Sequence, residues 1–77
     1  MIMQVYVVLK EAFEGEYDSE VLGVYGDRAD AVQRLRDETE ALPDRRWDWE
    51  GDFMAHWTEP EYEENYVTLW AFAEEVK

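Results

Sequence analysis

Residues 21 to 43 read VLGVYGDRADAVQRLRDETEALP, and a change of period within them decides the fold. Val21 to Tyr25 is a short apolar, β-branched run closed by Gly26, the pattern of a strand. From residue 28 the spacing becomes helical: Val32, Leu35, Thr39 and Leu42 fall on one stripe, helped by Ala31. Asp27 stands where an N-cap is needed, since its carboxylate can accept from the free N–H groups of the first turn. Asp30 places negative charge in that turn, and Asp30 to Arg34 is a well-oriented i,i+4 pair. Pro43 ends the helix, because the residue before a proline is pushed out of the α region.

Upstream, MQVYVVLK (3 to 10) alternates Met3, Val5, Val7 and Leu9 on one face with Gln4, Tyr6, Val8 and Lys10 on the other. The segment EAFEGEYDSE joins the two strands as a hairpin connection carrying strand extensions, with Gly15 as its turn residue. Downstream, YVTLWAFA (66 to 73) sets Val67, Leu69, Ala71 and Ala73 against Tyr66, Thr68, Trp70 and Phe72, a further strand. Between them, Trp47 and Trp49 with their flanking acids suggest a short strand. Phe53 to Trp57 is a turn or another short strand, and Pro60 belongs at an edge or in a loop. The expected architecture is a single α+β domain over residues 1 to 77. It is an antiparallel sheet of three or four strands with one helix packed on one face, in the order ββα(β)β.

One helix covers one face. The opposite face is expected to carry Tyr6, Val8, Tyr25, Trp70 and Phe72, a large apolar patch for a monomer. Either the Trp47–Trp57 segment folds over it or a second subunit does, so Tyr6, Tyr25, Trp70 and Phe72 are candidate lid or homodimer contacts. The tryptophans read as core or lid; their functional reading is as interface anchors.

At 77 residues the chain is near the lower size limit for a domain, and it has no cysteine and one histidine. No disulfide framework or Cys/His zinc site can staple it, so packing must hold it together, and dimerisation would relieve the size problem. The absence of cysteine fits a reducing cytosol. The apolar N-terminal run MIMQVYVVLK has no basic residue before it and no small-residue cleavage site. It is far shorter than the roughly 20 residues a spanning helix needs. The expected location is cytoplasmic, and the host cytoplasm if the chain is phage-encoded.

Twenty acids against seven bases give a net charge of −13. Such a surface repels nucleic acid and anionic membrane, which excludes both as direct partners. The 47% hydrophobic and 16% aromatic content argues for a folded domain over a disordered acidic tail. The acids alternate in three places: Glu14, Glu16, Asp18, Glu20; Asp48, Glu50, Asp52; and Glu59, Glu61, Glu63. Strand residues two apart lie about 6.6 Å apart on one side. Each alternation could therefore line up a row of carboxylates, although any solvent-facing strand alternates by default. Residues 11 to 26 and 59 to 76 hold no base at all. A surface serving only solubility would mix signs, so the single-sign fields point to a cationic partner.

Catalytic and metal signatures are absent. Asp48, Glu50, Asp52 and Glu59 fit positions 1, 3, 5 and 12 of a calcium loop, but position 6 is Phe53 where the sharp turn requires glycine. His56, with Thr58 and Glu59 nearby, is a lone histidine between Ala55 and Trp57, where packing or surface placement is the ordinary reading. There is no Gly-rich phosphate loop and no G-x-S-x-G. No enzyme activity, cofactor or metal is expected. Arg45-Arg46 is the one basic doublet outside the helix and should pair with local acids.

Val5-Tyr6-Val7, the acidic Glu14–Glu20 turn, Leu22-Gly23-Val24-Tyr25, and Asp27 with Ala31-Val32 resemble a group of small standalone bacterial and phage ββα domains of unknown function. The HWTE at 56 to 59 looks like a tail seen in some of them. That resemblance implies the fold of about the first 42 residues and no activity. By length, charge and acid spacing the chain is also similar to small acidic phage proteins that imitate DNA, among them anti-CRISPR and anti-restriction inhibitors. What that likeness implies is a partner: a basic nucleic-acid-binding protein or complex. Its contact set here would be Glu14, Glu16, Asp18, Glu20, Glu59, Glu61, Glu63 and Glu64.

Overall fold

The computed structural model describes residues 3–76; Met1 and Ile2 of the apolar N-terminal run, and Lys77, lie outside them. The elements are β1 (Met3–Phe13), β2 (Tyr17–Tyr25), α1 (Arg28–Glu40), β3 (Asp48–Glu50), β4 (Met54–Thr58) and β5 (Tyr66–Val76). All five strands form one antiparallel sheet in the order β2-β1-β5-β4-β3. The class is the expected α+β, but three or four strands undercounts the sheet, whose order along the chain is ββαβββ. The Trp47–Trp57 segment does not fold over the sheet as a lid. It extends the sheet edgewise as the β3–β4 hairpin, turned at Gly51 with φ +58°.

The chain's two most continuous apolar runs take the inner positions. β1 and β5 contain no glycine or proline, and they pair along their whole length from Met3↔Val76 to Phe13↔Tyr66. β2 is an edge, bent by a bulge where β1 passes from Val8 to Leu9 and Leu22 is left over. A bulge and the exposed acids Asp18 and Glu20 discourage further strand addition there. The opposite edge, β3, is only three residues long.

Helix α1 forms where the period change predicts it. The Asp27 carboxylate accepts from the Ala29 N–H at 2.9 Å, and the helix ends at Glu40, three residues before Pro43. Its buried residues are Ala31, Leu35 and Thr39, with Val32 half-buried. Arg34 turns from the expected Asp30 to Glu38, one turn further on, at 2.9 Å.

The helix lies on the face of the sheet that carries Val8, Ala12, Val67 and Leu69, all buried together with Ala31 and Leu35. Tyr6, Leu22, Tyr25, Trp47, Trp57 and Ala71 pack around this cluster. Burying a side chain such as Leu35 stabilises the fold by about 1.5–3 kcal/mol relative to exposure. The expected exposed patch is thereby corrected. Register sets Val8 across from Ala71 and Leu9 across from Trp70. Tyr6, Val8 and Tyr25 therefore face the helix, while Trp70 and Phe72 face the other way with Val5, Val7 and Leu9.

Candidate functional site

The acidic stretches end in three different geometries. In EGEYDSE the extended backbone is interrupted: Glu14, Gly15 and Glu16 are the β1–β2 turn, with Gly15 at φ +82°. Only Asp18 and Glu20 keep strand geometry. They stand opposite Ala12 and Lys10, on the helix side of the β2 edge. The four carboxylates therefore form a turn and a pair, not one straight row.

In DWEGD, Asp48 and Glu50 stand opposite His56 and Met54 on the face away from the helix. Asp52 lies in the turn and takes a bidentate pair from Arg28 at the helix N-terminus, with Nη1 to Oδ2 at 3.1 Å. That hydrogen bond and the attached charge hold the Asp52 carboxyl below its ordinary range and raise the Arg28 guanidinium above its own. The calcium-loop positions do not converge, because a β-hairpin separates them. Among the described residues, no three His, Asp or Glu side chains gather as a metal site.

In EPEYE the backbone is irregular. Glu59 and Asn65 close the β4–β5 loop: the Glu59 N–H donates to the Asn65 carbonyl at 3.0 Å, and the Asn65 amide donates to the Glu59 carboxylate at 2.9 Å. Glu59 is thus occupied within the loop, whereas Glu61, Glu63 and Glu64 are exposed.

Topology then does what spacing does not. Because Phe13 pairs with Tyr66, the β1–β2 turn and the β4–β5 loop emerge side by side at one end of the sheet. Glu14, Glu16, Glu61, Glu63 and Glu64 gather there, with Asp18 just beyond. The three stretches share no single face, but two of them share this end. Asp48 and Glu50 stay apart, on the β3 edge.

The segment after the helix reaches the same end. Arg45 Nη2 meets Glu14 at 3.2 Å, and its guanidinium lies 4.1 Å from the centre of the Trp57 ring. One arginine thus ties the post-helix segment to the β1–β2 turn and to β4, by a charge pair and a cation–π contact. The doublet's pairing with a local acid is as expected for Arg45. Its stacking on Trp57 is legible only once β4 is placed.

Glu59, taken up by Asn65, is not a hydrogen-bond partner of His56. The histidine Nδ1 and Nε2 contact the hydroxyls of Thr68 (2.7 Å) and Thr58 (3.0 Å), and its ring stacks on Tyr66 with centroids 6.0 Å apart. Both ring nitrogens are engaged across the β4–β5 ladder, which fixes the imidazole on the sheet face away from the helix.

Compared with known protein families, curated proteins and solved structures, the chain matches none. No helix among the described residues is long and apolar enough to cross a membrane.

Proposed function

We propose that this chain is a cytoplasmic binding protein that inhibits a nucleic-acid-binding protein or complex by presenting carboxylates where phosphates would lie, in the manner of anti-CRISPR or anti-restriction DNA mimics. The observation that carries this reading is the Phe13↔Tyr66 pairing, which brings two acid-rich connections to one end of the sheet. The four strands β2, β1, β5 and β4 span roughly 14 Å at about 4.8 Å per gap. Across that width stand Asp18, Glu14, Glu16, Glu61, Glu63 and Glu64. Duplex DNA presents about eight charges over the same length, at one per roughly 1.7 Å. One strand row alone is too sparse to compete with that; two connections side by side come close. Arg45 pairs with Glu14 and lies over the Trp57 ring, so among the described residues it is Asp18, Glu16, Glu61, Glu63 and Glu64 that stand at this end without a basic partner.

Such an end would enter a Lys/Arg-lined channel, with association steered by charge and weakened by salt. The basic partner supplies the cations, and the chain needs no cofactor, metal or catalytic group. The test is a competition assay. The purified protein is titrated into DNA cleavage by restriction endonucleases and RNA-guided nucleases, beside a variant carrying Glu16→Lys, Glu61→Lys and Glu63→Lys. All three sites are exposed, so folding should be retained, as far-UV circular dichroism would check. Inhibition that falls with salt and vanishes in the variant is the expected result. Equal inhibition by the folded variant would overturn the reading.

A further inference from the structure

The sheet face away from the helix is uncovered: none of its described side chains is buried, whereas Val8, Ala12, Ala55, Val67 and Leu69 are buried on the other. An apolar band crosses its middle. Val21, Leu9, Trp70 and Met54 form one row across four strands; Val24, Val7 and Phe72 form the next. Val21 and Val24 are more than half exposed. Acids border this band on three sides. Glu11 follows Leu9 on the same face of β1, Glu74 follows Phe72 on β5, and Asp48 and Glu50 line the β3 edge beside His56 and Met54. None of the four makes an ion pair among the described residues. No lysine or arginine of the described strands lies on this face; Lys10 points to the helix side, where its partner Leu69 is buried. His56 has both ring nitrogens on threonine hydroxyls, so it gives these acids no partner.

We infer that this face docks a cationic amphipathic helix of a partner protein. The helix lies across the strands, with its apolar stripe on Leu9, Trp70, Val7 and Phe72 and its flanking lysines or arginines against Glu11 and Glu74. Two observations choose that occupant. The first is charge. An apolar band rimmed by unpaired carboxylates is complementary to an apolar stripe rimmed by cations. Other occupants bring the wrong sign or none. A second copy carries the same acids and no base on the matching face, and nucleic acid and anionic lipid are repelled. A neutral apolar segment would leave the rim acids without partners beside desolvated surface.

The second observation is spacing. Glu74 pairs with Val5, and the step from Val5 to Glu11 along β1 sets the two rims about 20 Å apart at 3.3 Å per residue. A helix is about 10–12 Å across, which leaves roughly 4 Å on each flank, the reach of an ion pair. From β2 to β4 the band crosses three gaps of about 4.8 Å, or roughly 14 Å, the length of about ten helical residues. A helix lying along β1 and β5 would instead press its apolar stripe onto Glu11 and Glu74. The crossing orientation keeps both acids on the flanks.

Roles within the face divide by position. Leu9 and Trp70 sit at the centre of the band and act as anchors, because large residues enclosed by neighbours carry most of an interface's binding energy. The rim acids stay in contact with water, so their pairs set orientation and association rate more than affinity. This site does not rest on the acidic end. Phe13 and Tyr66 lie between Glu11 and the two acid-rich connections, and different residues form each surface.

The probe is a synthetic peptide of about 18 residues, with leucine repeating at i, i+3, i+4 and i+7 and lysine elsewhere, long enough to hold a helix once docked. It is titrated by calorimetry into the full chain at about 0.15 M salt, where exposed charges are screened beyond about 8 Å. The expected result is saturable binding of a single peptide per chain. A peptide of the same composition reordered to break the stripe, and a version with glutamine for lysine, should each bind about ten-fold or more weakly. Trp70→Glu, checked for folding by circular dichroism, should lose about ten-fold or more. So should the double variant Glu11→Lys with Glu74→Lys, which lies outside the core and keeps the test open if Trp70→Glu fails to fold. The variant carrying Glu16→Lys, Glu61→Lys and Glu63→Lys should bind within about three-fold of the wild type. Equal binding of either control peptide, or an equal loss in the acidic-end variant, would overturn the proposal. So would unchanged binding by the folded double variant, or a dimer that Trp70→Glu dissolves and the peptide cannot enter. A chain that binds the peptide and blocks no DNA cleavage keeps this site and loses the proposed inhibition; one that blocks cleavage and ignores the peptide does the reverse.

Discussion

Replacing Gly23 by alanine is expected to destabilise the protein, although nothing in the backbone forbids it. Gly23 lies in β2 opposite Val8, beside the bulge, and its φ is outside the left-handed region that demands glycine. On backbone grounds alone, alanine should stabilise by about 0.4–1 kcal/mol, because it restricts the unfolded chain. The opposing effect comes from Tyr25, two residues on, whose ring lies across Gly23. A Cβ there would sit 2.7 Å from the Tyr25 hydroxyl oxygen and 2.8 and 2.9 Å from its ring carbons, where ordinary contact begins near 3.4 Å. The ring would have to retreat by several tenths of an ångström, but it packs on the core beside its ladder partner Tyr6. Overpacking of this kind costs about 1–3 kcal/mol. The steric effect wins, leaving a net loss of roughly 1–2 kcal/mol. Urea denaturation should show a lower midpoint with an unchanged slope. The same substitution in a Tyr25→Ala background should be neutral or stabilising, because the ring it displaces is gone. A Gly23→Ala protein as stable as the wild type would refute the reasoning.

Two further outcomes follow from the core and the helix N-terminus. Leu35→Ala removes a fully buried side chain from between helix and sheet and should cost about 2–5 kcal/mol, a large share of the roughly 4–11 kcal/mol expected for a domain of this size; a midpoint shift worth less than about 1 kcal/mol would contradict the assigned core. Asp52→Asn should lower stability at neutral pH and change nothing in strong acid: a carboxyl held below its ordinary range stabilises the fold above the unfolded-state pKa and loses that effect as pH falls through the folded one, so two urea series bracketing this window suffice.

The helix, its cap and the first turn were legible because each is set by neighbours in the chain. Asp27, Pro43 and Gly15 act within four residues of themselves, and local chemistry decides them. The alternation in β1 and β5 was equally plain: Val8 shares a face with Tyr6, and Leu69 with Val67. Which face of β1 joins which face of β5 was not legible. That depends on register, and slipping one strand by a residue exchanges every partner. Alternation alone therefore groups Tyr6 and Tyr25 with Trp70 and Phe72, although the ladder puts them on opposite sides. The hairpin of β3 and β4 was faint because three and five residues carry too little periodicity to separate a strand from a turn. Its Gly51 turn falls among acids that also fit a calcium-loop count.

Alternating acids describe a face only while the backbone stays extended. At Gly15 the chain turns, and Glu14 and Glu16 leave the line that Asp18 and Glu20 keep. After Thr58 it leaves the sheet, and Glu59 is taken up by Asn65 while its neighbours remain free. The carboxylates of two stretches nonetheless meet, because β5 pairs with β1 from its first residue to its last and so sets their connecting segments side by side. Equal spacing within each stretch is incidental to that meeting. Moving a glutamate by one position within the 59–65 loop should therefore matter little to binding, whereas removing the charge at the same end should matter a great deal. The acidic end is a property of strand order, and it would persist under any loop sequence that kept the charge and the Phe13↔Tyr66 pairing.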